Sequence, residues 1–253
     1  MFKESSIKIS EKLTLNFLNI ENYSKEFIEL IEQEIGFIRN GDLSNENIKY
    51  IKKAIKAWFH KKGNDERPKI GYVAEFICHL YLRSQNFEQY FLFKNLEENG
   101  PKKGFDGLYL KEDEMWLVES KSTSDFKKTH LSKIKEAYKD IKNKVESVNQ
   151  KDNNPWENSK NHIDNRNIKE NVGLLKNINK ISQDFIDQNP HKVEEYNIIP
   201  SSTIYLGEKY KDIDNVKLKA ELEKVCKKFN AKKLNILCVN KKSIDEFINF
   251  ING

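Results

Sequence analysis

The chain has 253 residues, of which 38% are hydrophobic and 33% are charged. This composition supports one substantial α/β domain with an extension, or two small domains, and argues against wholesale disorder. No apolar run approaches the roughly 20 residues that cross a bilayer, and the first residues lack the apolar stretch of a signal peptide, so we expect a cytoplasmic protein. The cysteines have no metal-ligand spacing, which argues against a zinc site.

The net charge of +5 comes from 44 basic and 39 acidic residues. A positive balance favours a nucleic-acid partner. Because almost all of the basic residues are lysine, the codon usage of an AT-rich genome explains the same balance equally well. The charge therefore does not decide between a nucleic-acid-binding protein and another class.

The apolar spacing in the first part of the chain predicts one strand and three helices. The strand covers residues 13–20, and the helices cover residues 24–39, 46–60 and 70–85. The polar segment 61–68 contains Gly and Pro and is the best candidate for a linker. We therefore divide the chain into an N-terminal extension, residues 1–65, which is mostly helical, and a larger domain, residues 66–253.

The larger domain continues with three short strands, at residues 89–94, 105–110 and 115–121. A long helix follows, with candidate caps among residues 122–125 and an apolar stripe from Ile134 to Val148. Residues 149–166 are expected to form a loop or a disordered insertion. The last elements alternate: a helix at 167–188, a strand at 203–207, a helix at 213–229, a strand at 234–239 and a helix at 243–251. This order predicts an α/β fold with a mixed sheet that contains an antiparallel hairpin and is flanked by helices.

The second and third short strands form a hairpin that carries unexpected charges. With residues 111–114 as the turn, residue 110 pairs with 115 and Asp106 falls opposite Glu119, while Lys121 shares their face. Opposed side chains have Cβ atoms about 4.5 to 5.5 Å apart, so the two carboxylates repel unless a cation lies between them. Mg²⁺ takes such oxygen ligands, which makes the hairpin a candidate metal site. A plain edge hairpin with solvated charges is the alternative.

The preceding helix offers a third acid. Gly71, Glu75 and His79 lie on one helical face at four-residue spacing. Gly71 would let the helix approach the sheet closely, and Glu75 would become a further metal ligand, unless it faces solvent. We expect His79 to be a hydrogen-bonded structural residue.

Lysines flank the hairpin on both sides and are candidate phosphate contacts, although solvated lysines would need no such explanation. They are Lys102, Lys103, Lys127 and Lys128. Tyr109 and Trp116 fall on the face opposite the acids and are expected to belong to the core.

The chain resembles the PD-(D/E)XK nuclease superfamily in the order of its charged elements: a helix with Glu75, a strand with Asp106 and a strand with Glu119-Ser120-Lys121. It departs from that superfamily at Phe105, where a proline often stands. The stretch KKGFDGLYL…EMWLVESKS, together with the ending at 196–251, is similar to HamA, the nuclease subunit of the Hachiman anti-phage system.

These resemblances imply a restriction-endonuclease-like core and phosphodiester hydrolysis that depends on Mg²⁺ or Mn²⁺. DNA is favoured over RNA as the substrate, but the sequence leaves both open. They also imply a helicase partner subunit. Asp106, Glu119 and the Ser120 carbonyl would hold the metal, with Glu75 as an outer or second-metal ligand, and Lys121 would orient water and offset charge in the transition state.

Two alternatives stay open. One is a restriction endonuclease or another PD-(D/E)XK enzyme that processes DNA. The other, from a different class, is a non-catalytic nucleic-acid-binding or assembly protein that retains the nuclease fold. Nucleotide hydrolysis and the common hydrolase classes lack support, because the sequence has no GxxxxGK[ST], GxGxxG, HExxH or GxSxG motif.

Overall fold

The computed structural model describes residues 2–93, 104–147, 154–164 and 171–253. Its centre is a seven-stranded mixed sheet in the order β1-β2-β7-β6-β5-β4-β3. The strands are β1 (Lys3–Ser10), β2 (Leu13–Ile20), β3 (Glu88–Gln89), β4 (Gly107–Lys111), β5 (Glu114–Thr123), β6 (Asn197–Tyr205) and β7 (Lys233–Lys241). The four central strands β2, β7, β6 and β5 are parallel, and antiparallel hairpins extend the sheet at both edges. The predicted α/β class with a mixed sheet is confirmed.

Helices cover both faces of the sheet and bury a separate apolar cluster on each. One face carries α1 (Lys25–Asn40), α2 (Ile48–Lys61), α3 (Glu66–Ser84) and α8 (Asp245–Asn252). The other carries α4 (His130–Glu146), α5 (Pro155–Asp164), α6 (Val172–Ile186) and α7 (Asn215–Cys226). In the described ranges, no helix combines the length and apolar composition that a bilayer crossing needs.

Several predicted boundaries were wrong. Residues 66–68, assigned to a linker, open α3, where Asp65 caps the helix through the amide of Arg67 and a proline is tolerated in the first turn. The predicted strand at 89–94 shrinks to the two residues of β3. Strand β6 begins six residues before the predicted start, because its first half is buried on both faces and lacks the alternation that marks a half-exposed strand.

Within the polar segment 149–166, predicted as a loop or a disordered insertion, the structure describes residues 154–164, and there the prediction was wrong; the other residues of the segment lie outside the described ranges. Residues 155–164 form α5, and Trp156 is 1% exposed and packs against Phe105 and Tyr196 with ring centroids 5.0 and 5.3 Å apart. Trp156 thus anchors α5 together with the buried side chains of Ser159, His162 and Ile163, although the composition of the segment is that of a loop.

The N-terminal 65 residues share the sheet and the core with the rest of the chain. Strand β2 pairs in parallel with β7 along its whole length, and β1, which the sequence pattern did not indicate, pairs with β2. Helices α1 and α2 pack in the same apolar cluster as α3 and α8. The division at residue 65 stays a prediction.

Helix α4 connects the hairpin to the rest of this architecture. Strand β5 continues to Thr123, so the helix begins later than the candidate caps at 122–125 predicted. It begins at His130, where Thr129 and Ser132 form a capping box. His130 is buried at its first turn, and its ring nitrogens contact the Ser202 hydroxyl on β6 and, at 2.9 Å, the Asn240 side-chain oxygen on β7. These contacts fix the start of α4 over the parallel strands.

Burial of His130 predicts a pH-dependent stability. Burial lowers its pKa to about 4, so the folded chain keeps the ring neutral where an unfolded histidine, with a pKa near 6.5, already binds a proton. Since the unfolded state binds the proton first, the free energy of unfolding should fall as the pH drops from about 6.5 to about 4. His130→Gln removes this contribution. The free energy of unfolding of the parent minus that of the variant should therefore decrease by up to about 3 kcal/mol as the pH falls from about 6.5 to about 4.

Urea unfolding at a series of pH values measures this difference. His60→Gln, at an exposed position on α2, is the matched control and should follow the parent at every pH. A constant difference between parent and His130→Gln from pH 7 to pH 4 would contradict the burial of a neutral ring.

Candidate active site

The hairpin register is as predicted from Gly107–Val118 to Leu110–Met115, and the ladder ends one pair before the predicted Asp106–Glu119 pair. Leu110 pairs with Met115, and the ladder extends one pair further to Lys111 and Glu114, so the loop contains two residues, Glu112 and Asp113. Both have positive φ angles, 52° and 59°, which is the geometry of the tight turns that match the twist of two strands. The turn is therefore shorter than the predicted four-residue loop, while the pairing is unchanged.

Asp106 lies immediately before β4 and is held by the backbone of β5. Its amide donates to the Val118 carbonyl at 3.1 Å, and its carboxylate Oδ2 accepts from the Ser120 amide at 2.8 Å. A charge-assisted bond to a backbone amide fixes the position of the carboxylate. Asp106 is thus fastened to the residues on either side of Glu119.

Glu119 is buried within β5 and lies between two ammonium groups. The residue is 3% exposed; Lys121 Nζ lies 2.9 Å from Oε1, and Lys144 Nζ, from α4, lies 2.5 Å from Oε2. The predicted alternation is confirmed, because Glu119 and Lys121 face α4 whereas Trp116 and Val118 pack in the α3 cluster. A buried carboxylate requires such partners, since an isolated charge in the interior is strongly unfavourable.

Lys121 is held in its charged form. Burial lowers its pKa, but the Glu119 carboxylate and the hydrogen bond to Asp140 more than offset that effect, so the pKa lies above its ordinary value. Its Nζ is 2.6 Å from Asp140 Oδ2. The ammonium group therefore bridges a carboxylate of the strand and one of the facing helix.

Asp140 and Lys144 complete the network and were missed by the sequence analysis. They are four residues apart, so they lie on one face of α4, directed at β5. Their spacing beside an apolar stripe is a signal, but α4 contains many other lysines with similar spacing. Only the packing of α4 on the sheet selects these two.

Glu75 lies on α3 at the Asp106 end of the sheet. Its side chain is 18% exposed and its Oε1 is 3.5 Å from His79 Nε2, so the alternative of a solvent-facing glutamate was wrong. Burial raises the pKa of the Cys78 thiol to about 12, and the nearby carboxylates of Asp106 and Glu75 add to this effect. Both acids therefore lie near one buried thiol.

The neighbours of Glu75 differ in part from expectation. His79 is structural as predicted, because its Nδ1 contacts the buried Tyr109 hydroxyl. The close approach expected at Gly71 was wrong, since a Cβ there would meet no atom within 4 Å. The close approach occurs at Gly107, where a Cβ would lie 2.9 Å from the Tyr109 ring and 3.3 Å from His79.

The predicted phosphate contacts divide into two groups. Lys127 and Lys128 are exposed in the loop that follows β5, whereas Lys102 and Lys103 lie outside the described residues. The same loop presents Phe126, which is 67% exposed, with Lys209 Nζ 4.6 Å from its ring centre. An exposed aromatic residue next to two lysines is the signal that the sequence analysis overlooked.

The donor set suits an oxygen-preferring cation. Asp106, Glu119 and Glu75 offer carboxylate oxygens and no sulfur or imidazole ligand is needed, which matches Mg²⁺ rather than zinc. Within the described ranges, no three His, Cys, Asp or Glu side chains are arranged to hold a metal ion. The Lys144 ammonium group contacts Glu119 Oε2 and neutralises the carboxylate that a metal ion would otherwise neutralise.

Replacing Lys144 should therefore destabilise the fold. Lys144→Met leaves the buried Glu119 carboxylate with one cation, and losing a hydrogen bond to a charged group lowers the free energy of unfolding by about 1 to 3 kcal/mol. The control is Lys142→Met on the same helix, because Lys142 and Glu146 form a partly exposed pair four residues apart, worth about 0.5 kcal/mol or less. Urea denaturation of both variants measures the difference, and equal losses would show that Lys144 does not support Glu119.

A search of curated proteins gives no match. The HamA family matches residues 5–252, which include strands β2 to β7 in full, β1 except for its first two residues, the hairpin and every candidate site residue named above. Because the match covers nearly the whole sequence, this chain belongs to the HamA family.

Proposed function

We propose that this protein is a Mg²⁺- or Mn²⁺-dependent nuclease that cleaves DNA in Hachiman-type anti-phage defence. Membership in the HamA family supports the defence role. The observation that carries the nuclease proposal is the placement of Asp106, Glu119 and Lys121 at one end of the β4–β5 hairpin, with Glu119 buried and Lys121 charged. The same placement supports a restriction-endonuclease-like core.

The site residues have distinct roles in this proposal. Asp106 and Glu119, with the Ser120 carbonyl, would bind the divalent cation, and Glu75, on α3 near the same buried thiol as Asp106, would be an outer ligand. Such a cation polarises the phosphate and makes water a better nucleophile. Lys121 keeps its positive charge, so its ammonium group stabilises negative charge that develops on the phosphate. Asp140 positions Lys121 through their 2.6 Å contact.

Lys144 has a separate role, because it neutralises Glu119 when the cation is absent. A divalent cation and the Lys144 ammonium group would repel each other beside one carboxylate, so Lys144 would move away from Oε2 if Glu119 held the cation. Lys144 is 27% exposed and can turn towards solvent when it leaves.

Substitutions of the three core residues test the chemistry. Asp106→Asn and Glu119→Gln should abolish both metal binding and DNA cleavage, because each removes an anionic ligand. Lys121→Met should leave metal binding largely intact and lower the cleavage rate by roughly two to four orders of magnitude. The measurements are cleavage of a labelled duplex, with Mg²⁺, Mn²⁺ or EDTA, and metal titration by calorimetry.

Asp113→Asn is the matched control for this series, because Asp113 lies on the same hairpin at the exposed turn. It should behave as the parent in both assays. Cleavage that persists in EDTA or in Glu119→Gln would refute the proposed site. DNA binding without cleavage under any metal condition would favour the non-catalytic alternative.

Phe126 and its neighbouring lysines support nucleic acid as the substrate. The loop that carries Phe126, Lys127 and Lys128 follows directly after the strand with Glu119 and Lys121. Exposed aromatic rings stack on bases while lysines contact phosphates, a combination typical of single-stranded nucleic-acid binding.

Phe126→Ala should weaken binding of a single-stranded oligonucleotide about tenfold, since one base stack is lost. Fluorescence anisotropy in a Glu119→Gln background measures binding without cleavage. Phe37→Ala, which removes an exposed phenylalanine on α1, should bind as the unsubstituted Glu119→Gln protein does. Equal affinities of the Phe126 and Phe37 variants would remove Phe126 from the substrate-binding surface.

A helicase partner subunit is part of the proposal. Family membership is consistent with a partner, because HamA is part of the Hachiman system. A restraining partner would keep the nuclease inactive until the restraint is released. A restriction endonuclease, the second candidate, would instead act without a helicase and would cleave at a fixed sequence.

A further inference from the structure

Helix α2 carries a concentrated positive charge that the proposed active site does not use. The helix, Ile48–Lys61, contains five lysines and no acidic residue. The whole chain has 44 basic and 39 acidic residues, so outside α2 the basic and acidic residues are equal in number. The net charge of +5, which did not by itself indicate a partner, therefore equals the charge of one 14-residue helix.

Most of this charge faces solvent without a partner. The helix buries Ile51 and Ile55 in the core, and Lys52 is held by Glu32 on α1 and by the Phe250 ring. The other four lysines are exposed and form the lysine stripe of α2: Lys49, Lys53, Lys56 and Lys61. None of the four forms an ion pair with another described residue.

The lysine stripe destabilises the helix that carries it. Lys49 and Lys53 are four residues apart, so their ammonium groups are neighbours on the helix surface and repel each other. Lys49 also lies in the first turn, where the positive end of the helix dipole disfavours a cation, and this turn has no acidic residue. The chain itself does not relieve this repulsion, whereas an anion bound along the stripe would.

An exposed aromatic ring lies beside these lysines. Tyr50 is 68% exposed, directly follows Lys49 and lies three residues before Lys53. Aromatic rings stack on nucleic-acid bases while lysines contact the phosphates, and together they bind a nucleic-acid chain without sequence preference. An acidic protein surface offers carboxylates to the lysines but no base for the ring. The combination therefore favours nucleic acid over an acidic protein.

An anionic membrane fits α2 less well. A helix that lies on a bilayer inserts a free apolar face into it. The apolar face of α2 is already buried, because Ile51, Ile55 and Phe59 pack in the cluster that α2 shares with α1, α3 and α8. The side that remains for a partner carries the lysine stripe and Tyr50.

The stripe has the dimensions of a short nucleic-acid contact. Lys49 and Lys61 are the ends of the stripe, and their separation in sequence corresponds to about 18 Å along a helix axis. The phosphates of one strand in a duplex follow each other at about 3.4 Å along the axis, so the stripe spans about five of them. It is on the α3 side of the sheet, whereas Glu119 and Lys121 face α4 on the other side. The stripe is therefore separate from the candidate active site.

We propose that the lysine stripe and Tyr50 bind the phosphates and a base of a nucleic-acid chain, at a second site that anchors the chain away from the candidate active site. A single strand and a duplex both offer the phosphates, and only a single strand or an unpaired end offers a base to Tyr50. This binding needs neither a metal nor cleavage, so it is independent of the proposed nuclease activity.

Fluorescence anisotropy with a labelled single strand and the matching duplex tests the proposal, in EDTA and in a Glu119→Gln background so that nothing is cleaved. Lys49→Gln combined with Lys53→Gln should weaken binding of both by about fivefold or more. The slope of log affinity against log salt should fall by about 0.7 for the single strand and about 0.9 for the duplex per lysine removed. The control combines Lys176→Gln and Lys180→Gln, two exposed lysines four residues apart on α6, and should leave affinity and slope unchanged.

Tyr50→Ala separates the effect of the ring from that of the charges. It should weaken single-strand binding about tenfold and leave duplex binding nearly unchanged, since the bases of a duplex are stacked on each other. Because Phe126 is assigned to the substrate, the variants on α2 are also compared in a Phe126→Ala protein. There the α2 site supplies most of the binding, and the losses should be at least as large. This comparison keeps a failure of the Phe126 contact distinct from a failure of the α2 site.

Lys49→Glu excludes damage to the fold as the cause of weaker binding. A glutamate there lies at the positive end of the helix dipole and four residues before Lys53, so it should raise the urea midpoint of unfolding while it weakens binding more than Lys49→Gln does. Unchanged affinity and slope in the doubly substituted stripe, or an equal loss in the α6 control, would overturn the proposal. Equal competition by polyglutamate or by vesicles of anionic lipid would assign the stripe to an acidic protein or a membrane and would also overturn it.

Discussion

The carboxylate of Glu119 is almost completely buried and must be neutralised by nearby cations. The packing of α4 on β5 depends on this requirement, because one of these cations comes from α4. Taking an ion out of water costs several kcal/mol, which close opposite charges can offset. Lys121 supplies one such charge from the same strand and Lys144 supplies the other from α4. The buried acid therefore binds the helix to the sheet as well as forming the centre of the candidate site.

Helix α4 is consequently held at both of its ends. At its start the capping box and His130 fix it to β6 and β7, and near its end Lys144 fixes it to β5. Side chains on such a rigid element keep a defined geometry, which catalysis requires. In the proposed reaction the metal cation would take the place of the Lys144 ammonium group beside Glu119. Because Lys144 already neutralises this carboxylate, the fold does not need the metal cation for its stability.

The two halves of strand β5 have chemically different surroundings. Its later half carries the charged residues Glu119 and Lys121 beside Asp106, and its first half carries Trp116 in an aromatic and amide environment. Helix α3 runs over both, with Glu75 near the charged end and Tyr81 at the aromatic end. Side chains alternate along the strand, so Glu119 points towards α4 and Trp116 points towards α3.

The sequence by itself determined the hairpin register, the opposite faces of Glu119 and Trp116, and the positions of most helices, because these follow from local periods of two and 3.6 residues. It did not reveal that β2 lies beside β7, that Trp156 folds a polar segment into a helix, or that Asp140 and Lys144 complete the network of Glu119. These features depend on contacts between distant parts of the chain, which no local pattern records. The sequence thus identified the charged residues of the candidate site, and the tertiary structure decided which cations neutralise them, since only packing brings α4 over β5.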